Sequence, residues 1–130
     1  MPTGVTMIKI RDFQRRVLEW FEACFSAQMA KKRKRRLYAF FEEANELIQS
    51  GGMTREEAHA MVDHVFNREP GEFSQEVAGV FTTLCMVANS HDIDLEEVGE
   101  KELARIWEAI PIIQAKQAQK LRPNDEDEDG

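Results

Sequence analysis

Apolar residues recur at steps of three and four along almost the whole chain, and this helical period constrains the fold more than any other feature. In the first predicted helix, about residues 10 to 29, the apolar stripe contains Phe13, Val17, Trp20, Phe21, Cys24 and Phe25. A second stripe, over about residues 33 to 50, ends at Gly51-Gly52, since glycine readily adopts the left-handed conformation that terminates helices. No segment alternates apolar and polar residues over the length of a useful strand.

Capping and breaking signals predict the remaining helices. The residues that carry them are Thr54 with Glu57, Pro70-Gly71, Asp94 with Glu97, and Pro111. Thr or Asp three residues before Glu is a capping-box pattern, whereas Pro and Gly end or kink helices. We predict a fourth helix from about Glu72 or Ser74 to Ala88, and a last helix that is kinked or interrupted at Pro111 and resumes to Lys120.

The composition is that of one soluble globular domain: 130 residues, 42% hydrophobic and 32% charged. Helical periodicity with short connections predicts an all-α bundle of four to five helices. We assign residues 1–9 to an N-terminal extension, 10–120 to the helical domain and 121–130 to an acidic tail that we expect to be disordered. The large stripe of helix one, with Trp20, Phe21 and Phe25, exceeds what so small a bundle need bury, so we expect an oligomer.

Two features bear on location. No apolar run approaches the ~20 residues of a membrane helix, and the N-terminus lacks the pattern of a secretory signal. Cys24 and Cys85 both lie inside apolar helical patterns, which is typical of packed thiols in a reducing compartment. We therefore expect a cytoplasmic protein without a membrane partner.

The charge is unevenly distributed along the chain. The net charge is −7, but residues 31–36 are six consecutive cations and the last seven residues carry five carboxylates. A basic run of this kind can be a nucleic-acid patch, or simply a solvated helix start. With an acidic net charge and no recognition helix, we do not expect nucleic acid as a partner.

A cluster of glutamates on the second predicted helix is the candidate site. Glu43 and Glu46 are spaced i, i+3 and share a helical face, and Glu42 lies i, i+4 from Glu46. Such like charges repel one another, and a divalent cation would reverse that effect. Glu76 is the only acidic residue of 74–88, and in a bundle it could meet the cluster. The alternative is a set of ordinary solvated glutamates, which are good helix formers and suit a first turn.

These segments resemble the motifs of the MazG-like family, the all-α nucleoside triphosphate pyrophosphohydrolases related to the dimeric dUTPases. The segments that carry the resemblance are Glu42-Glu43-Ala44-Asn45-Glu46-Leu47, Glu76-Val77-Ala78-Gly79-Val80-Phe81, Ile93-Asp94-Leu95-Glu96 and Glu102 to Trp107. The resemblance covers about residues 11 to 120 and is strongest to the members often encoded by bacteriophages, which would place the protein in the host cytoplasm. It implies the family's bundle, a homodimer or tetramer, and Mg²⁺- or Mn²⁺-dependent cleavage of the α–β bond of a nucleoside triphosphate, with deoxynucleotides as the expected substrates.

The resemblance also implies roles for individual residues. Glu43 and Glu46 match the metal ligands of the first motif, and Glu76 matches the first ligand of the second motif. Glu42 matches the leading glutamate, which binds a further metal or positions water. Either Glu42 or Glu46 would accept a proton from the attacking water.

Basic residues are the candidates for binding the triphosphate. Arg36 lies seven residues before Glu43, two turns along the same helical face. Lys101 and Arg105 match late-helix cations that family members use for phosphates. The alternative for the latter two is pairing along the helix with Glu97 and Glu108.

The sequence departs from the family pattern at Gly79, where the second motif has aspartate. One ligand is therefore missing, unless Asp63 on the intervening helix replaces it. A nucleotide-binding relative with impaired catalysis is one alternative function. A module that binds partners through the basic run of residues 31–36 is another.

Overall fold

The computed structural model describes residues 9–124, and within them every regular element is helical. The α-helices are α1 (Ile10–Cys24), α2 (Ala27–Ala30), α3 (Arg33–Ser50), α4 (Arg55–Phe66), α5 (Phe73–Ser90), α6 (Leu95–Glu108) and α7 (Ile110–Lys116), followed by a short 3-10 helix, Gln117–Gln119. The all-α prediction is confirmed. The expected disorder of the acidic tail concerns mainly residues 125–130, which lie outside the described part of the chain.

The first predicted helix is two helices, so the prediction of one helix to residue 29 was wrong. Phe25 leaves the helical region with φ −122° and ψ −90°. Ser26 then caps α2, because its hydroxyl accepts a hydrogen bond from the Met29 N–H at 3.0 Å. The apolar stripe continues through the break, which is why the period alone did not reveal it.

The capping and breaking signals predicted the helix ends better than the apolar period did. At the start of α4, the Thr54 hydroxyl accepts from the Glu57 N–H at 3.1 Å, and the Glu57 carboxylate accepts from the Thr54 N–H at 2.9 Å. This is the predicted capping box. Pro111 lies in the first turn of α7, where its missing N–H costs nothing, and α6 ends just before it. The predicted interruption at Pro111 is therefore confirmed.

The chain divides into two compact units. Among the described residues, the first unit consists of residues 9–39 and 100–124, and the second unit consists of residues 40–99. In the first unit, α1 packs against α2 and α7. Cys24, Leu103 and Pro123 are its buried side chains among the described residues, and burial raises the pKa of the Cys24 thiol.

The aromatic stripe of α1 is used inside the first unit. Trp20, Phe21 and Phe25 pack edge-on or tilted, with ring centroids 4.9–6.3 Å apart. The Trp20 indole N–H donates to the Ile106 carbonyl oxygen at 2.9 Å, which joins α1 to α6. The Gln114 side-chain amide likewise donates to the Cys24 carbonyl oxygen at 2.7 Å. All three aromatic side chains are half-buried as a result.

The second unit is much more open. Among its residues, Ala88 is the buried side chain, and Cys85 is half-buried with its thiol free. The large apolar side chains of α4 and α5 are all exposed. No helix in the described residues is both long enough and apolar enough to cross a bilayer.

Candidate carboxylate site

The glutamate cluster lies on the part of α3 that belongs to the second unit. Glu42, Glu43 and Glu46 are all exposed on this helix, so their carboxylates are open to a solvent-borne ligand. The helix continues through them without distortion, and the Asn45 side-chain amide donates back to the Phe41 carbonyl oxygen at 2.7 Å. The structure thus confirms the helical placement on which their shared face depends.

Glu76 lies in the first turn of α5, where the helix dipole favours an anion. The cap of this helix is Glu72, a residue that the sequence analysis named only as a possible start. Its carboxylate accepts hydrogen bonds from the Ser74 N–H at 2.8 Å and the Gln75 N–H at 3.2 Å. Hydrogen bonds from the Ser74 hydroxyl, which has the largest effect, and from these two amides hold the pKa of the Glu72 carboxyl below its usual range. Two carboxylates therefore stand at the start of α5.

The Glu76 side chain folds back over the turn before the helix. A β-carbon placed on Gly71 would come within 2.8 Å of Glu76 Oε2 and 3.1 Å of its Cδ. The glycine therefore leaves room for the carboxylate of Glu76 beside the backbone of the turn. The sequence predicted only a helix break at Pro70-Gly71, because the five-residue separation of Gly71 from Glu76 matches no recognisable motif.

The carboxylates in the described part of one chain do not assemble into a metal site. In residues 9–124, no group of three or more His, Cys, Asp or Glu side chains is placed to hold a metal ion. Carboxylate oxygens are the ligands that Mg²⁺ prefers, but Glu43, Glu46 and Glu76 do not form such a group. Asp63, the suggested replacement ligand on α4, does not complete one either. The metal-ligand roles stay predictions.

Gly79 occupies the position of the aspartate that the resemblance leads one to expect. A β-carbon placed on it meets no atom within 4 Å, and its φ is not in the left-handed region. The backbone there is ordinary helix. Neither the space around a β-carbon nor the backbone conformation requires glycine at this position.

The candidate phosphate-binding residues belong to the first unit. The Arg36 guanidinium lies 4.3 Å from the ring centroid of Phe21, a cation–π contact. Arg105 donates from Nε and Nη2 to the two carboxylate oxygens of Glu102, at 2.8 and 2.7 Å. This pair lowers the pKa of Glu102. Glu108 was the expected alternative partner on α6, so the bidentate i, i+3 pair of Arg105 with Glu102 was missed. The triphosphate-binding role of Arg36, Lys101 and Arg105 stays a prediction.

A shallow depression lies at the other end of α5. Its volume is about 550 Å³, and it is lined by Cys85, Ala88, Asn89, Asp92, Ile93, Asp94 and Leu95. The glutamates of the candidate site do not line it.

Comparisons of the chain with protein-family models, curated proteins and solved structures found no match. The resemblance to the MazG-like family therefore stays a prediction that depends on the acidic segments and their spacing.

Proposed function

We propose that the protein is a nucleoside triphosphate pyrophosphohydrolase that requires Mg²⁺ or Mn²⁺ and acts on deoxynucleoside triphosphates. The observation that carries the proposal is the presence of two acidic helix segments in the same chain. Glu43 and Glu46 lie one turn apart on α3, and Glu76 lies in the first turn of α5. All three side chains are solvent-accessible, as ligands for a charged substrate complex must be.

The reaction is a hydrolysis at the α-phosphorus. A water oxygen bonds to that phosphorus, the bond from it to the bridging α–β oxygen breaks, and pyrophosphate leaves with the bonding electron pair. The water gives up a proton to a carboxylate, for which Glu42 and Glu46 are the candidates. The products are a nucleoside monophosphate and pyrophosphate.

The proposal includes self-association into a homodimer or tetramer in the cytoplasm. Assembly matters for this function because, in the described residues of one chain, the carboxylates do not form a group of three that could hold a metal ion. A protein of this kind would have to bring its acidic helices together before it could hold a metal ion.

The second candidate is a nucleotide-binding relative with impaired catalysis. The absence of a carboxylate at Gly79 favours it, since fewer ligands weaken a metal site. Such a protein would bind nucleotides and release no pyrophosphate.

A panel of nucleotides separates the two candidates. Pyrophosphate release is measured for the common ribo- and deoxynucleoside triphosphates with Mg²⁺, with Mn²⁺ and with a chelator. The proposal predicts metal-dependent release, lost in Glu43→Gln and Glu46→Gln and kept in Glu69→Gln, which makes the same charge change on an exposed residue outside α3 and α5. Nucleotide binding without release by the unmodified protein would overturn the enzyme in favour of the second candidate.

A further inference from the structure

The positive charge of the chain is concentrated in the first unit. The described residues of this unit contain fifteen Lys and Arg and six Asp and Glu, a net charge of +9. The five carboxylates of residues 125–129, which lie outside the described residues, lower this to +4. The second unit has two basic and thirteen acidic residues, a net charge of −11. The acidic net charge of the whole chain, which argued against nucleic acid, therefore does not describe the first unit.

Ion pairs within the first unit leave part of its basic run unused. Arginines of α1 and α6 hold four of the six described carboxylates of this unit, which are Asp12, Glu19, Glu100 and Glu102. No described residue forms an ion pair or a hydrogen bond with the side chains of Lys31, Lys32 and Arg33. Lys31 and Arg33 are exposed, and Lys32 is half-buried. We call these three residues the basic turn.

The arginines that follow the basic turn attach it to the first unit. The Arg36 guanidinium lies 4.3 Å from the ring centroid of Phe21 on α1, and Arg35 Nη1 donates to Met29 Sδ on α2 at 3.6 Å. The backbone of the turn is also fixed, because the Lys32 N–H donates to the Met29 carbonyl oxygen at 3.2 Å. The cations are therefore presented by ordered backbone, which lowers the entropy cost of binding a partner.

The stability of α3 does not explain cations at this place. The helix begins at Arg33 and has no acidic residue in its first turn, whereas α4, α5 and α6 each have one or two there. The N-terminal end of a helix carries a partial positive charge, so cations beside it are unfavourable. A bound anion would make the same arrangement favourable. The basic turn thus fits a role in binding better than a role in folding.

An exposed aromatic ring favours one class of anion. Tyr38 is 41% exposed and lies one turn after Lys34 on the same face of α3. Proteins that bind single-stranded nucleic acid without sequence preference combine cations for the phosphates with aromatic rings on which bases stack. Such binding needs no recognition helix. An acidic protein would use the cations but not the ring, and a duplex keeps its bases stacked inside.

We infer that the basic turn and Tyr38 form a surface that binds single-stranded nucleic acid through its phosphates and one stacked base, without sequence preference. All of these residues belong to the first unit. The inference does not depend on the proposed function, because the surface uses none of the candidate carboxylates.

Fluorescence anisotropy of a labelled oligo-dT of about twenty nucleotides tests the inference on the full chain. A chelator is present, so that binding at a metal-dependent nucleotide site does not contribute. We expect a dissociation constant in the micromolar range at about 50 mM salt. The logarithm of the affinity should fall with the logarithm of the salt concentration with a slope of about −2, as three phosphate contacts require.

A pair of double variants tests the basic turn. Lys31→Gln with Arg33→Gln removes two of the three contacts, so it should weaken binding by about tenfold and reduce the salt slope to about −0.7. Arg55→Gln with Arg68→Gln is the matched control, because it removes the same charge from two exposed cations of the second unit. This control should keep the wild-type slope and an affinity within about twofold. Circular dichroism verifies that both variants keep their helix content.

Variants of Tyr38 test the stacked base separately from charge. Tyr38→Ala should weaken oligo-dT binding by about tenfold and leave the salt slope unchanged, because it removes a ring and no charge. Tyr38→Phe keeps a ring of the same size and should bind as the wild type does.

Four results would overturn the inference. The first is no change in anisotropy up to about 100 μM protein at low salt. The second is an equal loss of affinity in the two double variants, and the third is unchanged affinity in Tyr38→Ala. The fourth is displacement of labelled oligo-dT by polyglutamate as effectively as by unlabelled oligo-dT of equal charge, which would indicate an acidic protein as the partner.

Discussion

The carboxylate of Glu76 lies over the α-carbon of Gly71, in space that the side chain of any other residue at that position would enter. A β-carbon there would come within 2.8 Å of Glu76 Oε2. The turn before α5 therefore helps to set where this carboxylate rests. The relationship links the helix-breaking Pro70-Gly71 segment to the candidate site.

Gly71→Ala should move the Glu76 carboxylate and weaken metal binding several-fold. The φ of Gly71 is not in the left-handed region, so alanine is compatible with the backbone and should leave the melting temperature equal or slightly higher. Mn²⁺ titration by electron paramagnetic resonance measures the affinity. Gly51→Ala is the control, since its β-carbon would make ordinary 3.6 Å contacts with the Leu47 and Ile48 carbonyls. Equal Mn²⁺ affinities for the two variants would contradict this role of Gly71.

Gly79→Asp should strengthen metal binding by about tenfold, because a carboxylate one turn after Glu76 adds charge and a ligand to the same helical face. A β-carbon at position 79 meets no atom within 4 Å, so the substitution should not disturb folding. Gly79→Asn has nearly the same shape and a similar helix propensity without the charge. Mn²⁺ affinities of the two variants separate the charge from the helix effect. If they are equal, position 79 does not face the metal.

Mixed variants test whether the site is shared between copies. Glu43→Gln and Glu76→Gln should each be inactive alone, but random dimers formed from equal amounts of both should regain about a quarter of the wild-type rate. The gain arises because one site of each mixed dimer then contains both native glutamates. Glu43→Gln mixed with Glu46→Gln should regain nothing, since both residues lie on α3. Pyrophosphate release after subunit exchange measures the effect, and a first mixture as inactive as the second would place the site within one chain.

Trp20→Phe should lower the free energy of unfolding by about 1 kcal/mol, because it removes the indole hydrogen bond to the Ile106 carbonyl. The loss stays modest since that carbonyl also accepts from the Ala109 N–H at 3.3 Å. Trp107→Phe changes an exposed indole and should cost less. Urea unfolding at one fixed protein concentration compares them. A larger loss for Trp107→Phe would contradict the description of the first unit.

Acid should weaken the start of α5 through Glu72. The pKa of this carboxyl is lowered in the folded chain, so the unfolded chain binds the proton more readily. The contribution of Glu72 to stability is therefore complete above the ordinary glutamate pKa of about 4.3, and it is lost as the pH falls through the folded value. Urea unfolding between about pH 5 and pH 3 should show a shallower decline for Glu72→Gln than for the wild type. Identical slopes would show that the cap is not formed in solution.

Local chemistry made most of the helices predictable. The capping box of Thr54 and Glu57 involves only residues close together in the chain, and so does the helix interruption at Pro111. Both could therefore be inferred from the sequence. The break at Phe25 was missed because the apolar stripe continues through it, and only the cap at Ser26 marks the new helix.

The tertiary features were less accessible from the sequence. The size of the Trp20 stripe suggested an interface, but Ile106 and the neighbouring rings occupy it within the first unit. The helical positions of Glu43 and Glu76 were predictable from spacing, whereas the lack of a group of three metal-ligating side chains in the described residues depends on how whole helices pack. The spacing also predicted the apolar stripe of α5, but the exposure of that stripe to solvent became evident only from the structure.

Phosphorus-31 spectroscopy of the reaction products is the most direct test of pyrophosphohydrolase activity. The full-length protein is incubated with a deoxynucleoside triphosphate and Mg²⁺, beside Glu43→Gln under the same conditions. We predict equal amounts of deoxynucleoside monophosphate and pyrophosphate from the wild type and unchanged triphosphate with the variant. Three results would contradict this prediction. The first is a nucleoside diphosphate with inorganic phosphate as the products, and the second is equal product formation by Glu43→Gln. The third is unchanged triphosphate with every nucleotide tried.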